Sequence, residues 1–177
     1  MKVLTVVLLM VVLSLGANLA MADPVPDHVH ATALVTVTVD EIIEWAAANF
    51  TEIHLLTITE QADAPEASQP LVLYTNCHLT ITADITTEPN NAQLKKTTDS
   101  LVTEYKLEYD GDGDPDTGGT NVGWTDWTTF LSGGSAVAHV SLDGAVEVTL
   151  FARARNATGT LADAGDYTAT QTLTATF

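Results

Sequence analysis

Cysteine is almost missing. Cys77 is the only one among 177 residues, so no intrachain disulfide can form and the fold must stand on packing alone. Its place in an alternating run reads as internal, which argues against a bridge to another chain. Basic residues are scarce too. Six Lys and Arg stand against 23 Asp and Glu, a formal net charge of −17. Nucleic acid or an anionic membrane surface is repelled by such a field. The same field attracts divalent cations and favours solubility. Aromatics make up only 6% of the chain, and the outward positions of its alternating runs are mainly Thr, Glu and Lys. A lipid-facing barrel needs apolar bands and aromatic girdles, so none is expected. There is no G-x-S-x-G nucleophile turn. Cys77 and His78 are adjacent and on a strand point to opposite faces. Nothing singles out a carboxylate pair for acid–base work, so an enzyme is not expected. A repeat at a solenoid period is also lacking.

Long hydrophobic runs are absent but for one. Val3 to Leu15 is interrupted only by Thr5 and Ser14, follows Met1-Lys2, and leads to Ala20-Met21-Ala22 before Asp23-Pro24. That order is the pattern of a cleaved export signal. The run is shorter than the ~20 residues a bilayer core needs, and no basic cluster follows it. Residues 1–22 are thus expected to be a signal peptide and 23–177 a single secreted or cell-surface domain, without stable membrane insertion after cleavage. Losing Lys2 takes the formal charge from −17 to −18.

What the chain does have is period two, the repeat of a strand with one dry face. Val29, Ala31, Ala33, Val35, Val37 and Val39 alternate with mostly His and Thr. Leu71 to Ile85 alternates over a length that calls for a break near Asn76. Leu101, Tyr105, Leu107 and Tyr109 oppose Glu104, Lys106 and Glu108. Ala136–Leu142 and Ala145–Arg155 flank Asp143-Gly144, a two-residue hairpin signal. Tyr167 to Phe177 ends the chain with Thr at each even position. Ile53–Thr59 reads as a further short strand, and 61–69, 88–92, 111–123 and 156–165 read as loops. Only 40–50 departs from the pattern: Asp40 can cap a short helix, while Ile43 and Trp45 suit a strand equally. The expectation is an all-β, antiparallel two-sheet β-sandwich, immunoglobulin-like or jelly-roll, with about eight strands and at most one short helix near 40–50.

Three groups are candidate sites. Asp110, Asp112, Asp114 and Asp116 lie at alternate positions among Gly and Pro. Four carboxylates repel within so short a loop, and a hard cation with flexible oxygen coordination, Ca2+, relieves them. An EF-hand is excluded, because Pro115 stands where Gly is needed and Asn121 where a bidentate Glu is needed. Trp124, Asp126 and Trp127 can form a sugar-stacking platform for surface glycans, against a core-packing role for the indoles. His28 and His30 can share a metal near the new N-terminus, a weak signal. Asn49-Phe-Thr51 and Asn156-Ala-Thr158 match the N-glycosylation acceptor pattern.

The closing segment Ala164-Gly-Asp-Tyr-Thr-Ala-Thr-Gln-Thr-Leu-Thr-Ala-Thr-Phe177, the run Val140-Ser-Leu-Asp-Gly-Ala-Val-Glu-Val148 and Leu71-Val-Leu-Tyr-Thr-Asn76 resemble exported prokaryotic β-sandwich fibre and coat proteins, pilin-like or spore-coat-U-like. The resemblance implies a subunit of an extracellular fibre or coat. A physical argument points the same way. Residues 23–39 would leave export as an alternating ribbon at a free N-terminus. Such a donor strand can complete a neighbour's sheet, and a head-to-tail contact of that kind grows into a homopolymer. The expected function is therefore a calcium-stabilised structural subunit of a fibre, pilus-like filament or matrix. The alternative is a secreted module that binds carbohydrate or another surface ligand.

Overall fold

The computed structural model describes residues 30–84, 92–97, 99–109, 120–139 and 144–177. The expected signal segment, Val29 and the Asp110–Asp116 run lie outside them. The chain divides into two units, Met1–Thr38 and Val39–Phe177. In the first, residues 30–38 carry no assigned strand, and Leu34, Val35 and Val37 are 85% or more exposed.

The second unit is built on alternation. β1 (Ile43–Trp45), β2 (Glu66–Thr75), β3 (Leu79–Asp84), β4 (Lys95–Lys96), β5 (Asp99–Ser100), β6 (Val102–Tyr109), β7 (Thr120–Asp126), β8 (Ser135–Val137), β9 (Ala145–Arg155) and β10 (Thr172–Thr176) pair antiparallel throughout. No helix occurs among the described residues. They form a five-stranded sheet in the order β1-β2-β9-β6-β7, a three-stranded sheet β10-β3-β8, and a β4-β5 ribbon. The fold is all-β, and neither larger sheet closes on itself.

Which strand sits where follows from its dry face. β9 turns Val146, Val148, Leu150, Ala152 and Ala154 inward, all buried. It takes the centre of the larger sheet, with Leu73 opposite Val146 on one side and Leu107 opposite Leu150 on the other. Leu79, Ile81 and Val137 of the smaller sheet join the same buried cluster. Phe130, Leu73, Ile81, Leu107, Val137, Val146 and Val148 are the largest apolar side chains below 2% exposure. Each gains ~1.5–3 kcal/mol from burial, so together they exceed the ~2–4 kcal/mol of the disulfide this chain cannot make. The buried hydroxyls of Thr103 and Tyr109 are satisfied. The Thr103 hydroxyl donates to Leu101 O and accepts from Leu94 N. Tyr109 on β6 meets Ser135 Oγ at 3.0 Å and donates to Ala136 O on β8.

Several expectations are corrected. The 40–50 segment is not helical: Ile43 and Trp45 turn their side chains to the core while β1 pairs with β2. The break near Asn76 is present, and Asn76 Oδ1 accepts Ile42 N while its Nδ2 donates to Asp40 O. β2 begins at Glu66, inside the expected 61–69 loop, and runs through Pro70. That proline is tolerated because β1 reaches only as far as Leu73, leaving this stretch of β2 as an edge. Ile53–Thr59 carries no assigned strand. Thr120–Gly123 belongs to β7, not to a loop. The expected Asp143-Gly144 hairpin turn lies largely outside the described residues; of the strands on either side, β8 pairs with β3, whereas β9 pairs with β2 and β6. Gly144, just before β9, has a positive φ of 65°. The last strand is shorter than expected, with only an isolated bridge at Thr168 before β10.

Candidate functional site

A groove of about 450 Å³ opens onto the inner face of the five-stranded sheet. Inward positions of three strands supply its floor: Leu71 on β2, Leu150 and Ala152 on β9, and Tyr105 on β6. Tyr105 donates its hydroxyl hydrogen to Ala92 O at 2.7 Å, and burial holds that hydroxyl above its ordinary titration range. It is a fixed neutral wall and no acid–base group.

Two stretches bound the groove. One is residues 48–55, where Phe50, Ile53 and Leu55 pack partly buried against the core cluster. Trp45 and Phe50 anchor its start with ring centroids 6.0 Å apart. No backbone hydrogen bond links residues 47–58 to another described segment. The other is residues 167–173, the approach to β10. β10 ends its sheet, so β3 occupies one of its edges and the second edge has no strand partner among the described residues. A sheet edge of this kind is a template for strand addition.

The groove is almost uncharged, with an apolar floor and Asn, Thr and Gln among its walls. Glu52 is the only described lining residue that is charged at neutral pH. Gln171 lines it, and its Oε1 is buried without a hydrogen-bond partner while Nε2 donates to Thr172 O. An unmet buried acceptor costs ~1–3 kcal/mol. In sequence, Gln171 interrupts the apolar series on the odd face of the last run. That polar position in an apolar series is the one local signal of the groove in the sequence. Residues 48–55 and 167–173 lie more than 100 positions apart, and no local pattern joins them.

The expected site residues are dispersed. Val35, Val37 and Val39 are exposed, at 85%, 86% and 69%, and Ala31 and Ala33 are exposed as well. Trp124 lies on the outer face of the larger sheet, with Arg153 stacked 4.5 Å from its ring and Phe151 edge-on at 6.4 Å. Trp127 packs against the core cluster. Asp126 Oδ1 accepts from Thr128 N and Thr128 Oγ1 at a turn. The two indoles thus have different neighbours: Arg153 and Phe151 for Trp124, the core cluster for Trp127. Among the described residues no three His, Cys, Asp or Glu gather as metal ligands. His78 Nδ1 accepts from His139 N. Asn49 is exposed, whereas Asn156 is buried and its Oδ1 accepts from Ala162 N. No described helix is long and apolar enough to cross a membrane.

Compared with family models, curated proteins and solved structures, the chain matches none.

Proposed function

We propose that this chain is an extracellular structural protein, a subunit of a surface fibre, pilus-like filament or matrix that assembles from copies of itself by β-strand exchange. One observation carries the reading. Residues 30–39 alternate as a strand does, lie outside any assigned strand, and leave Val35, Val37 and Val39 exposed on one face. Burying each of those valines gains up to ~1.5–3 kcal/mol, and only a second surface supplies that burial. The chain's partners are then its own copies, at the cell surface or in secreted material, and its acidity keeps nucleic acid away.

The architecture belongs to the same reading. We take the five- and three-stranded sheets as the two leaves of a sandwich, because residues of both meet in one core cluster. Ca2+ enters as a stabiliser bound by Asp110, Asp112, Asp114 and Asp116, on the strength of their spacing.

Negative-stain microscopy and sedimentation of the mature protein, with and without chelator, test the proposal. Filaments or a ladder of oligomers are expected. A strictly monomeric protein under both conditions overturns it.

A further inference from the structure

We propose that the groove between residues 48–55 and 167–173 receives residues 31–39 of a second copy, which add a strand along the open edge of β10. The inference rests on the strand-exchange reading above and names its acceptor.

Four features select this occupant. The first is polarity. Residues 30–39 hold no Asp, Glu, Lys or Arg, in a chain of net charge −17. The groove carries one charge, Glu52, over an apolar floor, so a neutral ribbon enters where an acidic segment is rejected. The second is shape. Val35, Val37 and Val39 share one face of an extended ribbon, and the half-buried Leu71, Phe50, Ile53 and Leu173 around the groove offer apolar surface to that face. The third is length. Residues 31–39 reach ~30 Å at ~3.3 Å per residue, more than the ~20 Å that Phe50–Leu55 would span fully extended. The fourth is hydrogen bonding. The edge of β10 and the backbone of 47–58 both lack strand partners among the described residues, and Gln171 Oε1 lacks a donor. An inserted strand supplies N–H and C=O groups in both directions, as strand addition requires.

The test uses full-length chains in a Cys77→Ser background. One preparation carries Val37→Cys, and a second carries Thr170→Cys at the groove or Glu147→Cys on the opposite face of the larger sheet. The two are mixed under mild oxidation. Expected is a disulfide-linked pair of copies with Thr170→Cys, formed at least 10-fold faster than with Glu147→Cys. In a separate chain, Ala169→Trp fills the groove, and expected is loss of oligomers with an unchanged circular-dichroism melt. If oligomers form but the cross-link favours Glu147→Cys, or Ala169→Trp still assembles, the groove assignment falls and the fibre reading stands. A double variant, Val37→Cys with Thr170→Cys, that links only within one copy also overturns it. If no oligomer forms in any preparation, both readings fall.

Discussion

The hydroxyl of Tyr167 donates to Asp99 Oδ2 at 2.5 Å, and the same oxygen accepts Asp163 N at 2.7 Å. This node ties the 156–165 connection to β5. The hydrogen bond from Tyr167, then that from Asp163, holds the Asp99 carboxyl below its ordinary value of 3.8. Partial burial, then the Asp99 carboxylate, pushes Tyr167 from 10.0 up to about 12. The signs follow by linkage. Asp99 is held low, so its contribution is present above 3.8 and is lost as pH falls through its folded value. Tyr167 is held high, so its contribution is full below pH 10 and is lost as pH rises toward about 12. Tyr167→Phe is expected to lower the unfolding midpoint between these limits, with the difference from the parent shrinking at both ends. A pH series of urea midpoints checks it, and a constant difference across the whole range contradicts it.

Gly144 stands where no other residue fits. Its φ is 65°, and an added Cβ would lie 2.7 Å from Thr75 O, a backbone atom of β2. Gly144 O also accepts Thr75 N at 2.8 Å, so the two backbones cannot drift apart without losing a bond. Gly144→Ala is expected to cost about 1–3 kcal/mol through backbone strain, measured by chemical denaturation. A loss below ~0.5 kcal/mol, the range of an ordinary surface substitution, would contradict the argument.

Much of the fold was legible because alternation and burial are the same fact read twice. Leu101, Tyr105, Leu107 and Tyr109 were placed on one face by sequence, and all four are buried. The bend at Asn76 followed from a run too long for one strand. Pairing was less legible. Asp143-Gly144 carries the local chemistry of a hairpin, but that local signal does not say that β9, with its apolar face, sits between β2 and β6 while β8 sits beside β3. The groove was hidden for a related reason: its walls are brought together only by tertiary packing, and period two says nothing of which strand is missing a neighbour.

Glu104 organises the outer face of the larger sheet. Its Oε2 accepts from Arg153 Nε at 2.9 Å and lies 3.8 Å from Arg155 Nε, and Arg153 covers the Trp124 ring. Glu104 is 17% exposed, so the pair is screened less than an open surface pair. Glu104→Gln is expected to cost about 1 kcal/mol and to shift Trp fluorescence as Arg153 loses its orientation. Leu107→Ala, in contrast, deletes a fully buried side chain and is expected to cost ~2–5 kcal/mol. Parallel denaturation curves rank the two, and the reverse ranking would contradict the division between core and outer face.

If residues 31–39 carry the proposed assembly, Val35 and Val37 are where fold and assembly can be separated. Both are more than four-fifths exposed, and replacing an exposed aliphatic side chain by lysine usually changes stability by less than ~0.5 kcal/mol. If a second copy buries these side chains, each lysine brings a charge into an apolar groove, a desolvation cost of several kcal/mol. The double variant Val35→Lys with Val37→Lys is therefore expected to melt with the parent yet lose oligomers by at least 100-fold in the concentration required. Val35→Ile with Val37→Ile keeps the apolar face and is expected to assemble as the parent does. Analytical ultracentrifugation beside thermal melts measures both quantities on the same samples. A lysine variant that assembles normally removes the ribbon from the interface, and one that melts early shows that these valines serve the fold of their own copy.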